Sequence, residues 1–303
     1  MKLFKQRVLP AIIFLLVIVA FTVPCAIWGK NHYEARIIGY IFASLLMGIL
    51  AYEIFKSFGL NLTYSLILSF VAVFMVFMPI QTTELTLKKS PNNLTDLDLF
   101  NLIKKTLFNW ENFFILSIIS VSFLLIELTN RVNMTYADRF IRLFHVWFAL
   151  FFIINSIIFL LFILIKDWRM FVFVLGAPSL SDIGGFFGGK FFGHKWIKTP
   201  FAPNVSPKKT WEGFIIGTII CYAFSAGMIF GLGLMEKVLW AQSIVLLLTP
   251  FLAVGGDLYF SYLKRLNAVK DYSKVLKGHG GFTDRFDSVC FVGSFVAMIY
   301  LFI

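Results

Sequence analysis

Charge is what this chain has least of. Asp, Glu, Lys and Arg make up 14% of its 303 residues, against about 25% in an average soluble domain. With 59% hydrophobic residues and a mean hydropathy of +0.85, that shortage argues against an ordinary soluble globule. Proline is sparse, at 9 residues, and glycine, at 21, is no more than average, which with the high hydropathy excludes collagen-like, linker-rich and disordered chains. Cys25, Cys221 and Cys290 lie far apart in apolar stretches, with no C-x-x-C pair and no nearby histidine to build a metal site, so they read as small core residues. The apolar runs do not alternate with period two, which disfavours a β-barrel, and no repeat of fixed period is visible.

What is present is a series of apolar runs long enough to cross about 30 Å of hydrocarbon. They lie near 8 to 28, 37 to 55, 60 to 80, 113 to 128, 143 to 165, 170 to 188, 213 to 235, 238 to 256 and 288 to 303. The runs at 113 to 128 and at the C-terminus are short, as incomplete or tilted crossings are. Lys2, Lys5 and Arg7 followed by the first run imitate a signal peptide, but the run exceeds a 7–15-residue h-region and lacks an A-x-A site, so it reads as a retained span. Of the 27 Lys and Arg, 18 fall on the side of the N-terminus and 9 on the other, which predicts a cytoplasmic N-terminus under the positive-inside rule. The formal charge of +11 then reflects topology and contact with anionic headgroups or phosphates rather than nucleic acid.

The polar stretch 81 to 112 has balanced charges and room for one amphipathic helix near Leu94 to Phe108. Chemistry concentrates instead between Gly255 and Asp287. If the helix there continues past the bilayer, Asp257, Ser261, Lys264 and Arg265 share one face, and Asp284 and Asp287, three apart, share a face of the next helix. Between them, Gly278-His279-Gly280-Gly281 can bring backbone N–H groups close to a phosphate. Carboxylates beside six cationic side chains suggest a divalent metal held by Asp while Lys and Arg neutralise phosphate oxygens, as phosphoryl and nucleotidyl transfer need. Asp182 sits inside an apolar run and is expected to line a cavity. Gly184, Gly185, Gly188 and Gly189 form overlapping G-x-x-x-G pairs, expected to serve close helix packing. A Walker loop at Gly184 to Lys190 is rejected, since Phe191 stands where Ser or Thr is needed. Glu53 and Glu127, near span ends, are expected at the membrane interface.

Two stretches resemble the CDP-diacylglycerol synthase (phosphatidate cytidylyltransferase) family. One is Ser261-x-Leu263-Lys264-Arg265, Lys270-Asp271 and His279-Gly280-Gly281-x-x-Asp284-Arg285-x-Asp287. The other is Ser181-Asp182-x-Gly184-Gly185-Phe186-Phe187-Gly188-Gly189-Lys190, with Phe192-Gly193 and Ser206-Pro207-x-Lys209-Thr210-x-Glu212-Gly213. The resemblance covers residues 179 to 290 well and the first 165 only by hydropathy.

The resemblance implies an all-α, polytopic integral membrane protein of about nine transmembrane helices, dimeric, with a polar cavity open to the cytoplasm. The expected activity is conversion of phosphatidic acid and CTP to CDP-diacylglycerol and pyrophosphate at a bacterial-type cell (inner) membrane. It divides the chain into N-terminal membrane helices (1–165) and a C-terminal catalytic region (166–303) with its signature loop at 257–287. Asp257 and Asp284 are the expected Mg²⁺ ligands. Lys264, Arg265, Lys270, Asp271, His279, Arg285 and Asp287 join them as expected catalytic groups, with Asp182, Ser206, Lys209, Thr210, Ser261, Gly280 and Gly281 around the substrates. Phe260 stands where the family usually has Glu, which leaves a second cation open and predicts an altered metal dependence. The rival readings are a CTP-dependent lipid kinase of the polyprenol or phytol type and a membrane transporter; the D-x-x-D-G-x-x-A-R run of CDP-alcohol phosphotransferases is missing.

Overall fold

A computed structural model describes residues 9–88, 94–130, 134–236, 238–275 and 280–303. The chain runs through α1 (Leu9–Trp28), α2 (Tyr33–Ser57), α3 (Leu62–Val73), α4 (Ile80–Leu87), α5 (Asp96–Thr106) and α6 (Trp110–Asn130). It continues through α7 (Tyr136–Lys166), α8 (Trp168–Phe192), α9 (Trp211–Ala226), α10 (Leu239–Leu266) and α11 (Thr283–Phe302). No strand occurs among the described residues beyond one isolated bridge between Ala202 and Ser206, so the all-α expectation holds. Among the described residues, seven helices are long and apolar enough to cross a membrane, and an eighth crossing results if the pair Leu62–Phe77 and Ile80–Leu87, bent by 65°, counts as one span. That break falls at Pro79, whose missing N–H cannot continue the helical ladder. The amphipathic helix expected near Leu94 to Phe108 is α5, started by a capping box between Thr95 and Asp98.

α7 is the central post, with 83% of its apolar window buried. Its first half buries one stripe, Val146, Ala149, Leu150, Ile153 and Ile154, at the i, i+3, i+4, i+7 spacing of one helix face. From Ile157 to Ile165 every residue is buried, as expected of a helix surrounded by others. Apolar contact with neighbours gives little advantage over contact with lipid tails, so close approach of backbones must hold such helices together. α8 and α9 show how: a Cβ on Gly213 would lie 2.6 Å from Gly185 O, and one on Gly217 2.6 Å from Ser181 O. Gly184 and Gly188 face Ile220, Ile216 and these same glycines, so the small-residue pairs pack helices as expected.

Side-chain bridges gather several loops at one end of the bundle. Arg142 near the start of α7 binds the Glu127 carboxylate of α6 at 2.8 Å, Asn267 Oδ1 beyond α10 at 2.8 Å and the Phe58 carbonyl beyond α2. Arg265 donates to the Val205 carbonyl at 3.2 Å. Glu53 and Glu127, near span ends, are 2% and 1% exposed. Each is buried against hydrogen-bond donors, which remove the cost of an uncompensated charge.

Candidate active site

Four helix ends meet on that side: the C-terminal halves of α8 and α10 and the N-termini of α9 and α11. Between α8, α9 and α10 they leave a cavity of about 490 Å³ lined by Asp182, Gly185, Gly189, Lys190, Lys208, Lys209, Thr210 and Asp257, among others. Small-molecule sites generally span about 300–1,000 Å³. Thr210 starts α9, its hydroxyl accepting the Gly213 N–H at 3.1 Å. The cavity therefore faces the positive end of that helix dipole and two lysines just before it.

Two ion pairs organise the carboxylates. Asp257 of α10 pairs with Lys209 and accepts the Ser261 hydroxyl at 3.2 Å one turn along. Asp284, in the first turn of α11, pairs with Lys264 at 2.7 Å. Lys264 lies in the last turn of α10, so both charges sit where the helix dipoles favour them. The Asp257–Lys209 side chains are 21% and 26% exposed, those of Asp284 and Lys264 only 8% and 11%; the first pair faces the cavity and the second braces the loop behind it. Asp284 also accepts the Gly281 N–H at 2.8 Å and the Tyr272 N–H at 3.1 Å. Burial, then the nearby Asp287 and Asp284 charges, hold the Tyr272 phenol well above its usual range, so it remains a neutral donor, to the Phe260 carbonyl at 3.0 Å.

Asp287 lies one turn beyond Asp284 and is 6% exposed. A Cβ on Gly256 would lie 3.0 Å from Asp287 O and 2.9 Å from Ser288 Cα, so the helices touch there and Asp287 and Asp257 come close. Asp257 and Asp182 both repel Asp287, and Lys209 and Arg285 attract Asp182. By level along the helices, Asp287 is therefore the α11 carboxylate beside Asp257. Asp284 is level with Lys264, about 10 Å further along α10 at 1.5 Å per residue.

Other expected site residues scatter more widely. Arg265 turns to the Val205 carbonyl. Ser206 forms the backbone bridge to Ala202 and does not line the cavity. Lys270 and Asp271 are exposed on the loop after α10. Gly280 and Gly281 flank Asp284: a Cβ on Gly280, at φ +75°, would lie 2.7 Å from its carboxylate. His279 lies outside the described residues. Phe260 is fully buried and packs edge-on against Tyr272 and Phe291, so this position contributes a ring to the core and points to no missing metal ligand.

Sequence reasoning missed Glu53. Its Oε1 accepts the Ser273 hydroxyl at 2.6 Å and the Phe282 N–H at 3.0 Å, and its Oε2 the Thr283 N–H at 2.7 Å. A glutamate in an otherwise apolar run was the available signal, but its partners lie 220 to 230 residues away, beyond any spacing rule.

The cytidylyltransferase family model matches residues 3–303. Phosphatidate cytidylyltransferases of Helicobacter pylori and Aquifex aeolicus are 43% identical over 120 residues and 35% over 127, covering 40% and 42% of this chain and 42% and 45% of theirs. A putative phosphatidate cytidylyltransferase of Mycoplasma pneumoniae is 30% identical over 178 residues, 44% of each chain. These alignments span less than half the length of the curated relatives. With a family model running through every helix that builds the cavity, the chain belongs to the cytidylyltransferase family.

Proposed function

We propose that the chain transfers a cytidylyl group from CTP to phosphatidic acid, giving CDP-diacylglycerol and pyrophosphate. The observation that carries this reading is the cavity of about 490 Å³ where Lys190, Lys208 and Lys209 meet Asp182 and Asp257 at the end of long apolar helices. A lipid phosphate and a triphosphate repel each other: two unit charges 4 Å apart interact by about 4 kcal/mol at an effective dielectric of 20. A cationic pocket at the membrane surface offsets that repulsion while the acyl chains stay among apolar spans.

A phosphate oxygen of phosphatidic acid attacks the α-phosphorus of CTP and forms the new P–O bond. The bond from the α-phosphorus to the α,β-bridging oxygen breaks, and its electron pair leaves with pyrophosphate. A phosphate monoester is already anionic at neutral pH, so no general base is needed. Lys209 and the N-terminus of α9 hold the triphosphate, Lys190 and Lys208 in the cavity wall and Arg285 beside Asp182 neutralise charge there, and Lys264 holds Asp284 behind it.

Among the described residues no group of three His, Cys, Asp or Glu could cage a metal. Magnesium is usually held by one or two carboxylates and completes its shell with phosphate oxygens and water. Asp257, which faces the cavity and is held by Lys209 and the Ser261 hydroxyl, fits that mode and is the ligand we propose; Asp284, about 10 Å further along α10 and taken up by Lys264 and two backbone N–H groups, holds the loop instead. When bound, the ion supplies charge neutralisation for the departing pyrophosphate.

We read the cavity end as cytoplasmic, because 18 of 27 basic residues belong to that side, and α1 and the bent α3–α4 pair as the eighth and ninth crossings. A homodimer is the assembly we expect. The test is purified protein with labelled CTP, Mg²⁺ and phosphatidic acid. A lipid-extractable cytidine product with pyrophosphate supports the proposal. Release of CDP with a phosphorylated lipid would mean a lipid kinase, and solute flux into sealed vesicles without nucleotide consumption a transporter.

A further inference from the structure

α11 starts without a side-chain cap of its own, since Phe282 at its N-cap position offers none. The first N–H groups of a helix need acceptors, and here Glu53 supplies them from α2. The same carboxylate holds Ser273 at the other end of the loop. Asp284 does the matching job on the opposite flank, taking the N–H of Tyr272 and of Gly281 while it pairs with Lys264. Two carboxylates from different parts of the chain thus tie residues 272–273 to residues 281–283 and close the neck of the signature loop.

Room around the neck is tight, because a Cβ on Gly281 would lie 2.6 Å from Glu53 Oε1. Glu53 does not line the cavity that holds Lys209 and Asp257, so its influence on chemistry must pass through what it holds. Without it the neck loses three of the hydrogen bonds that close it, and any drift of the start of α11 carries Asp284 and Asp287 with it. A shift of about 1 Å in reacting groups can cost on the order of a hundredfold in rate.

We infer that Glu53 is a positioning residue: from α2 it clamps the neck of the signature loop and thereby sets the Asp284–Lys264 pair and Asp287 against the substrates. The catalytic part of this inference rests on the cytidylyltransferase reading; the clamp itself does not.

The test compares wild-type protein with Glu53→Gln, Glu53→Asp and Ser273→Ala in steady-state kinetics and in hydrogen–deuterium exchange. Glutamine must turn an NH₂ group toward a donor, so Glu53→Gln is expected to speed exchange in the 281–286 segment by about tenfold or more, with α7 unchanged. It should lower kcat by about tenfold or more while KM for CTP, set at the α8–α9 cavity, moves less than about threefold. Glu53→Asp, which keeps the charge, should recover part of both losses. Ser273→Ala, which removes one donor and leaves the helix cap, should move exchange and kcat in the same direction by less.

Wild-type exchange at 281–286 in Glu53→Gln overturns the clamp, and so does faster exchange spread equally through all helices. Local loosening with an unchanged kcat overturns the positioning role. Should Glu53→Gln fail to purify, Ser273→Ala decides: wild-type exchange and kcat overturn the inference. If wild-type protein makes no cytidine lipid but the 281–286 segment still loosens in the variants, the clamp stands and the proposed function fails.

Discussion

At the scale of single residues, the two acid–lysine pairs divide the work by exposure. Lys209 lies on the cavity side, so Lys209→Ala is expected to raise KM for CTP about tenfold, or about 1.4 kcal/mol, with little change in thermal stability; titrating CTP against initial rate checks this. Asp284→Asn can keep its oxygen on the Gly281 and Tyr272 N–H groups but turns an NH₂ group toward Lys264 and strips it of its counter-charge. It should cut turnover by about a hundredfold or more while the protein still inserts and purifies, and wild-type-like activity would contradict its role in holding the loop. In sequence Phe260 stands for a lost carboxylate; in the fold it is a buried ring against Tyr272 and Phe291. Phe260→Glu should lower the melting temperature, because it buries a carboxylate among aromatic rings. Protein that survives should show an unaltered divalent-ion titration, since this side chain packs in the core and does not line the cavity.

Helices are the next scale, and two devices hold them together where apolar contact alone is weak. Gly213 and Gly217 let α9 lie against the α8 backbone, and both helices carry cavity residues. Gly217→Leu must push α8 and α9 apart, so it should lower thermal stability and activity together, by about 1–3 kcal/mol in stability from overpacking. The second device is the buried Glu127–Arg142 pair, with side chains 1% and 6% exposed. Arg142→Ala takes a charged partner from the buried Glu127 carboxylate and is expected to cost about 3–5 kcal/mol, measured as a shift in the unfolding midpoint. Glu127→Gln in the same background should restore part of it by removing the buried charge. The glycine spacing was readable in sequence, because i, i+4 geometry is local. The Glu127–Arg142 pairing was not: their separation of 15 residues crosses a turn, and only the packing of α6 on α7 brings them together.

The whole molecule has two distinct ends. Contacts from Arg142 to Phe58 and Asn267, from Arg265 to Val205 and from Glu53 to Thr283 put the loops after α2, α8 and α10 at one end. Those are loops that the charge bias assigns to one compartment. The three native cysteines are buried, so single-cysteine labelling has a low background. Lys198→Cys and Lys270→Cys should react with an impermeant maleimide only in inverted vesicles, and Asn31→Cys only in intact cells. Labelling of all three from one side would refute the topology.

Sequence alone determined the all-helical membrane class, the order of the apolar runs and the acidic, basic and glycine positions around 182 and 257–287. Hydropathy and helical spacing act over a few residues, and the chain carries them openly. Tertiary structure alone decided which carboxylate meets which cation: Lys209 with Asp257, Lys264 with Asp284, and Glu53 with the neck of a loop 220 residues downstream. A buried charge must find a partner wherever packing brings one, and distance along the chain places no limit on where that partner lies.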